Sequence, residues 1–299
     1  MANYKKITEA HPAVVPYLRA RIWSRNGNTL TYRPENNTKA FSTDGLGFRH
    51  SKFKGENVTV HRSLGGALFS AVMGSSHVFG FGLPGNEHTS ASRFSEKFNH
   101  AVLNISLPEA NTNDLHGCLR SHVNLADLQN LIFFPGGSFT RFCYTGLCSP
   151  LDGPPALHMM KNVGHSYTGT PDTPAMIDNL IHYQKRHIKR IAETCANADV
   201  AFCVVDEMTF FEKETPTEIE VNGDLGTAPQ PQGTERFDRH KKYIGKYRKD
   251  LFDDLRADDI KVLDFGSIED ITFIDEFHYD SPSTQVIVER LSAQIPAKP

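Results

Sequence analysis

At 299 residues and 33.4 kDa, the chain is long enough to bury a large core, as one elaborate domain or two modest ones. Lys+Arg 32 against Asp+Glu 35 leaves a formal net charge of −3, which offers no general attraction to phosphate backbones or anionic lipid, so neither a nucleic-acid nor a membrane partner is expected. With 39% hydrophobic and 22% charged residues, the composition excludes disordered and collagen-like chains.

Residues 1 to about 60 have little clean periodicity and many turn formers, as in Arg25-Asn26-Gly27-Asn28 and Pro34-Glu35-Asn36-Asn37, and read as an N-terminal arm with short strands or a helix. No apolar stretch of the ~7–15 residues of a signal peptide follows the first lysines, and no window approaches the ~18–20 of a membrane span, so a cytoplasmic protein is expected. The regular pattern starts at Ala67–Met73, a short apolar run ended by Gly74 and typical of a strand buried on both faces. Next come a helix over Thr89–Asn99, with Ser90 or Ser92 as cap and Phe94 and Phe98 one turn apart, and a strand over Ala101–Ser106. A helical stretch from about Asn113 to His122 and a strand at Asn130–Phe134 precede a long Gly/Pro-rich loop, 138–172. The longest helical pattern, Thr173–Ala196, carries Ile177, Ile181, Ile188 and Ile191 on one stripe and leads into a strand at Val200–Val205. A polar, Pro- and Gly-rich surface insertion at about 209–235 separates these from a helix (237–256), a strand (Lys261–Phe265) and a last helix (Ser283–Ala293).

Strands alternating with helices predict an α/β fold: a three-layer α/β/α sandwich around a five-stranded, mostly parallel sheet, formed by residues 61–299. Ligands in such sheets bind beyond the carboxyl ends of the strands, so the loops after each strand are where chemistry is expected. The basic run His240, Lys241, Lys242, Lys246, Arg248 and Lys249, interleaved with acidic residues, reads as a solvated helix face. Five cysteines without a CxxC pair suggest free thiols, with Cys195 and Cys203 in the core and Cys143 and Cys148 beside a loop and more open. The 14 histidines form neither HExxH nor HxH, and no metal site is expected.

The loop after the first good strand supports two readings. Gly80, Gly82 and Gly85 spell GxGxxG, the dinucleotide fingerprint, with Glu109 loosely placed as the ribose acid. In that fingerprint the strand runs straight into the first glycine, whereas here the strand ends at Gly74 and Pro84 falls where the helix should be turning. The other reading places a nucleophile at the strand end. Ser76 stands there, and a serine hydroxyl needs a base oriented by a carboxylate. Asp275 and His278, within Phe273-Ile274-Asp275-Glu276-Phe277-His278, follow the fifth strand and so reach the same sheet edge.

At these residues the sequence resembles the SGNH or GDSL-like hydrolases, especially bacterial members with an N-terminal extension. Met73-Gly74-Ser75-Ser76-His77-Val78-Phe79-Gly80-Phe81-Gly82 is similar to their first block, with Ser76 on the nucleophile; Asp275 and His278 match the last block, D-x-x-H; and Leu46-Gly47-Phe48-Arg49 is similar to a segment that often precedes the first. The resemblance spans roughly 40–295 and implies the SGNH, flavodoxin-like sandwich with no cofactor. Two blocks depart from the pattern. The second places Glu109 where a glycine usually helps form the oxyanion hole, and the third, Phe134-Pro135-Gly136-Gly137-Ser138, places Ser138, beside Gly137, where an asparagine is usual. Asn111 is a further candidate donor. The resemblance thus implies a serine esterase or acyltransferase acting on a small or carrier-bound acyl substrate, with Ser76, His278 and Asp275 as its triad. The alternatives are the same fold reused for another reaction or for binding only, and the nucleotide cofactor at Gly80–Gly85.

Overall fold

The computed structural model describes residues 12–20, 22–25, 29–60, 65–155, 173–215 and 235–295. Its centre is a sheet whose strands are fixed by apolar runs too short for helices. β5 (Phe69–Met73) is buried at every position, and β6 (Val102–Asn104), β7 (Leu128–Phe133), β8 (Ala201–Asp206) and β9 (Lys261–Asp264) join it in the order β6-β5-β7-β8-β9. All four pairings are parallel, so the expected α/β sandwich is observed and its sheet is wholly parallel. Chain order changes direction beside β5, whose neighbours are β6 and β7. The loops leaving these strands therefore diverge around a crevice, the usual place for a ligand site.

Helices cover the sheet. α3 (Ser90–Phe98) and α8 (Ser281–Ser292) pack together, while α4 (Thr112–His122), α5 (Gly136–Thr145), α6 (Pro174–Ala196) and α7 (Glu235–Ala257) form the other group. The apolar stripe of α6 is buried as expected, with Ile177, Ile181, Ile188 and Ile191 facing the core. Thr89, rather than Ser90 or Ser92, caps α3 and accepts from the Ser92 N–H, because Ser90 is already inside the helix.

Three expectations are corrected. The segment expected to be loop from 138 begins with α5, whose Phe139, Phe142 and Cys143 recur at helical spacing and are buried; their packing outweighs the poor propensity of Gly136 and Gly137. Cys143 and Cys148 are consequently buried, as are the other three thiols, and burial pushes the Cys148 thiol up to about 12. His240 belongs to the core side of α7 and contacts Thr209 Oγ1 at 3.0 Å, whereas Lys241, Lys242, Lys246 and Lys249 are exposed. The expected loop continues through 146–155 without helix or strand, and its remainder, 156–172, and most of the expected insertion, 216–234, lie outside the described residues.

Residues 12–60 contribute α1 (Val15–Arg19) and two antiparallel hairpins, β1 (Ile22–Arg25) with β2 (Thr29–Tyr32) and β3 (Ser51–Phe53) with β4 (Glu56–Val58). Phe48, Val58 and Val60 enter the main core, while Tyr17, Tyr32 and Phe41 pack around Phe79. Among them lies Arg49, 1% exposed. Its guanidinium donates to the carbonyls of Ala40, Phe79, Gly80 and Gly85, to Asn86 Oδ1 and to the Tyr17 hydroxyl. The first and last glycines of the GxGxxG string, Gly80 and Gly85, serve this arrangement. Gly80 has φ +89°, and a Cβ there would lie 2.9 Å from Arg49 Nη1, so the residue must be small as well as left-handed. The Gly80 and Gly85 carbonyls converge on a cation, the opposite of a phosphate cradle, which presents N–H groups to an anion.

Candidate active site

The site is assembled by three consecutive strand ends and one return loop. β5 runs into Gly74, where a Cβ would lie 2.5 Å from Val78 Cγ2 and 3.1 Å from Phe134 Cβ, so only glycine lets the chain turn this tightly. Ser75 is extended, and Ser76 opens the short helix α2 (Ser76–Phe79). The flanking loops continue the sheet ladder past this turn: the Leu107 N–H donates to Gly74 O at 3.2 Å, and the Phe134 N–H to Met73 O at 2.8 Å. Gly137 completes the contact, since a Cβ on it would lie 2.5 Å from Ser75 Cβ and 2.8 Å from Ala110 O.

Asp275 and His278 lie on the return loop after β9, closed by a bridge between Phe273 and Tyr279 and by the Ile274 N–H donating to His278 O at 2.6 Å. Asp275 Oδ1 accepts from the backbone N–H groups of Phe277 and His278, each at 2.9 Å. The carboxylate lies 2.7 Å from His278 Nδ1, and His278 Nε2 lies 2.8 Å from Ser76 Oγ. With Nδ1–H donating to the carboxylate, Nε2 is left as the acceptor facing the serine hydroxyl. The three side chains are half-buried amid buried neighbours, and the Phe81 ring packs 4.7 Å from the imidazole.

Burial alone would raise the Asp275 pKa, but His278 and the two N–H donors outweigh it and hold the carboxyl below its ordinary value. The sign of the linkage follows. The unfolded carboxyl takes up its proton first, so the stability that Asp275 contributes is complete above the unfolded pKa of about 4 and is lost as pH falls through the lower folded value. Urea midpoints measured from pH 6 down to pH 3 should fall more steeply for the wild type than for Asp275→Asn; parallel curves would remove this contribution.

The other sequence candidates fall around this centre with different engagements. Glu109 has φ +54°, the left-handed region where glycine is at ease, and is half-buried. Its carboxylate is one of the charges that favour the buried Arg141 guanidinium. Ser138 is 1% exposed, and its Oγ accepts from the Thr112 N–H at 3.3 Å and meets Thr112 Oγ1 at 3.2 Å. Asn111 caps α4 in a reciprocal capping box with Asp114. Ser138 thus ties α5 to α4, while Asn111 serves the start of α4 itself. One group escaped sequence reasoning altogether. Glu207, just beyond β8, accepts from the Gly136 N–H at 2.5 Å and lies 2.6 Å from His77 Nε2. A glutamate after an apolar strand belongs to no motif, and its position at the sheet edge was the only available signal.

Among the described residues no cluster of three metal-ligating side chains is present, and no helix is long and apolar enough to cross a membrane. The described residues form a parallel three-layer α/β/α sandwich with Ser76, His278 and Asp275 in hydrogen-bonded series at its carboxyl edge. In fold the chain is similar to GDSL-type lipases and acylhydrolases. One is a protein assigned to the G-D-S-L lipolytic family from Desulfitobacterium hafniense DCB-2, 14% identical with TM-score 0.46 over 76% of this chain and 99% of that one. A lipase/acylhydrolase from Enterococcus faecalis is 11% identical with TM-score 0.41 over 78% and 99%. A GDSL-like lipase from Bacteroides thetaiotaomicron VPI-5482 is 10% identical with TM-score 0.41 over 76% and 86%. No protein-family model matches the sequence, and neither does any curated protein.

Proposed function

We propose that this chain is a serine acyl hydrolase or acyltransferase that opens an ester or thioester through Ser76, His278 and Asp275. The observation that carries this reading is the unbroken series from Asp275 through His278 to Ser76 Oγ, with contacts of 2.7 and 2.8 Å, the reach a general base requires. His278 Nε2 takes the hydroxyl proton as Ser76 Oγ attacks the acyl carbon. The resulting imidazolium is balanced by Asp275, which also fixes the tautomer. Collapse of the tetrahedral intermediate expels the alcohol or thiol, which receives the proton from Nε2, and leaves an acyl-Ser76. Water or an acceptor hydroxyl, deprotonated by the same imidazole, then releases the acyl group.

Backbone N–H groups of Ser76 and Glu109 are the proposed oxyanion donors. The Ser138 hydroxyl is engaged with Thr112 instead, so its contribution is to fix the start of α5 against α4. The left-handed turn at Glu109 supports the loop shape that a glycine usually provides, and Arg141 offsets part of the added negative charge. The expected result with a fluorophosphonate probe is one covalent adduct on the intact protein, mapped to Ser76 and lost in Ser76→Ala. An unlabelled wild type would overturn the hydrolase reading and favour the binding-only use of the fold, which the carboxylate at Glu109 would suit.

A further inference from the structure

We infer that Glu207 is a positioning residue for acyl transfer at Ser76, acting through His77 and Gly136; the inference rests on the serine-hydrolase reading. Glu207 is a carboxylate at the end of β8 whose side chain is 10% exposed, facing His77 at 6%. Its two oxygens reach two different loops. Oε1 lies 2.6 Å from Nε2 of His77, the residue that follows Ser76, and Oε2 accepts from the Gly136 N–H at the start of α5. His77 Nε2 lies close to Oε1 but out of line for a hydrogen bond, so the contact holds the imidazole by close packing against the carboxylate. The Gly136 contact places the anion at the N-terminus of a ten-residue helix, where the macrodipole favours it.

The local packing is built around this carboxylate. A Cβ on Gly136 would stand 2.8 Å from Glu207 Oε2, so glycine is what permits the approach. His77 is held from the other side by the rings of Phe134 and Tyr279, with centroids at 6.2 and 6.5 Å. The cavity that adjoins the pair, bounded in part by Phe139, Phe277 and Tyr279, measures about 20 Å³, the scale of a single water. The carboxylate, 10% exposed, is shielded from bulk solvent, and removing it would leave a buried imidazole and a part-buried N–H without their partner. Burial raises the Tyr279 hydroxyl far above its ordinary pKa, and the Glu207 charge adds to the effect.

The geometric consequence concerns Ser76. α2 has a single turn, too short to hold its own orientation, and Gly136 borders the loop that packs on Ser75. A group that ties His77 to Gly136 therefore fixes the nucleophile turn against the loop that follows β7. A misplacement of about 1 Å at such a site costs on the order of 100-fold in rate.

The test compares wild type, Glu207→Ala and Glu207→Gln with p-nitrophenyl acetate and with the fluorophosphonate probe, well below each protein's melting temperature. Glu207→Ala should lower kcat at least tenfold, leave KM within twofold and slow labelling of Ser76 in parallel. Glu207→Gln, which keeps an acceptor for Gly136 but replaces the carboxylate oxygen beside His77, should recover part of the loss at unchanged KM. It preserves volume and keeps the test valid if the alanine variant unfolds. Labelling and kcat within twofold of wild type in the glutamine variant, and in the alanine variant if it folds, would overturn the inference while leaving the serine mechanism standing. An unlabelled wild type would instead remove that mechanism and this inference together.

Discussion

Replacing His278 by alanine should lower ester turnover by roughly 10⁴-fold or more, with KM little changed. Ser76 Oγ stands 2.8 Å from His278 Nε2, and no other base was found in contact with it among the described residues. Without the imidazole the hydroxyl keeps its proton, and the attack must proceed from a neutral alcohol. Asp275→Asn should be nearly as damaging. The amide can present an N–H to Nδ1, which favours the tautomer that carries the proton on Nε2 and so blocks it as an acceptor. The check is kcat and KM on a soluble acetyl ester, with far-UV circular dichroism to establish that each variant is folded. A His278→Ala enzyme within tenfold of wild type would end the case for this base.

Arg49→Ala should cost about 3–5 kcal/mol of stability, an effect at the upper end for a single substitution. The guanidinium gathers four main-chain carbonyls, an amide oxygen and a tyrosine hydroxyl at a point that is 1% exposed. Truncation leaves these acceptors facing a void, and each buried group left unmatched costs about 1–3 kcal/mol, though not additively. The ring faces of Tyr17, Phe41 and Phe79, 5.5–5.7 Å from Arg49 Cζ, lose a cation–π partner as well. Arg49→Lys should fall between the two, because an ammonium has three donors and no planar fork. Urea midpoints at constant m-value measure the loss; a change below 1 kcal/mol for the alanine variant would mean the acceptors find other partners. Phe79 and Gly80 close α2, so the same substitution should also loosen the turn that carries Ser76.

The fold was legible in the sequence wherever hydrophobic periodicity decides structure. β5, β7, β8 and α6 each occupy the expected segment to within two residues, because a buried strand or a long apolar stripe leaves little choice. α5 was illegible for the same reason in reverse. Gly136 and Gly137 are weak helix formers, and what stabilises the helix is the burial of Phe139, Phe142 and Cys143 against distant elements. That Ser76, Asp275 and His278 would meet was legible because chain order and sheet topology bring both segments to one edge. The engagements of Ser138 and Asn111 were not, since a short polar side chain near a helix start can cap, bridge or face a ligand with equal ease. Arg49 could be singled out within a pattern, but nothing local announces that a cation will be enclosed by carbonyls. Glu207 depends wholly on tertiary placement.

The Ser76–His278 contact joins residues 202 positions apart, one just beyond the sheet's first strand and the other beyond its last. During synthesis the serine therefore emerges long before its base, and until the two meet its hydroxyl has no base to take its proton. Reactivity at Ser76 would arrive only when the loop closed by Phe273 and Tyr279 has docked. On the proposed mechanism the chain is chemically silent until folding is nearly complete, and acylation of Ser76 becomes a time stamp for the last step of its assembly.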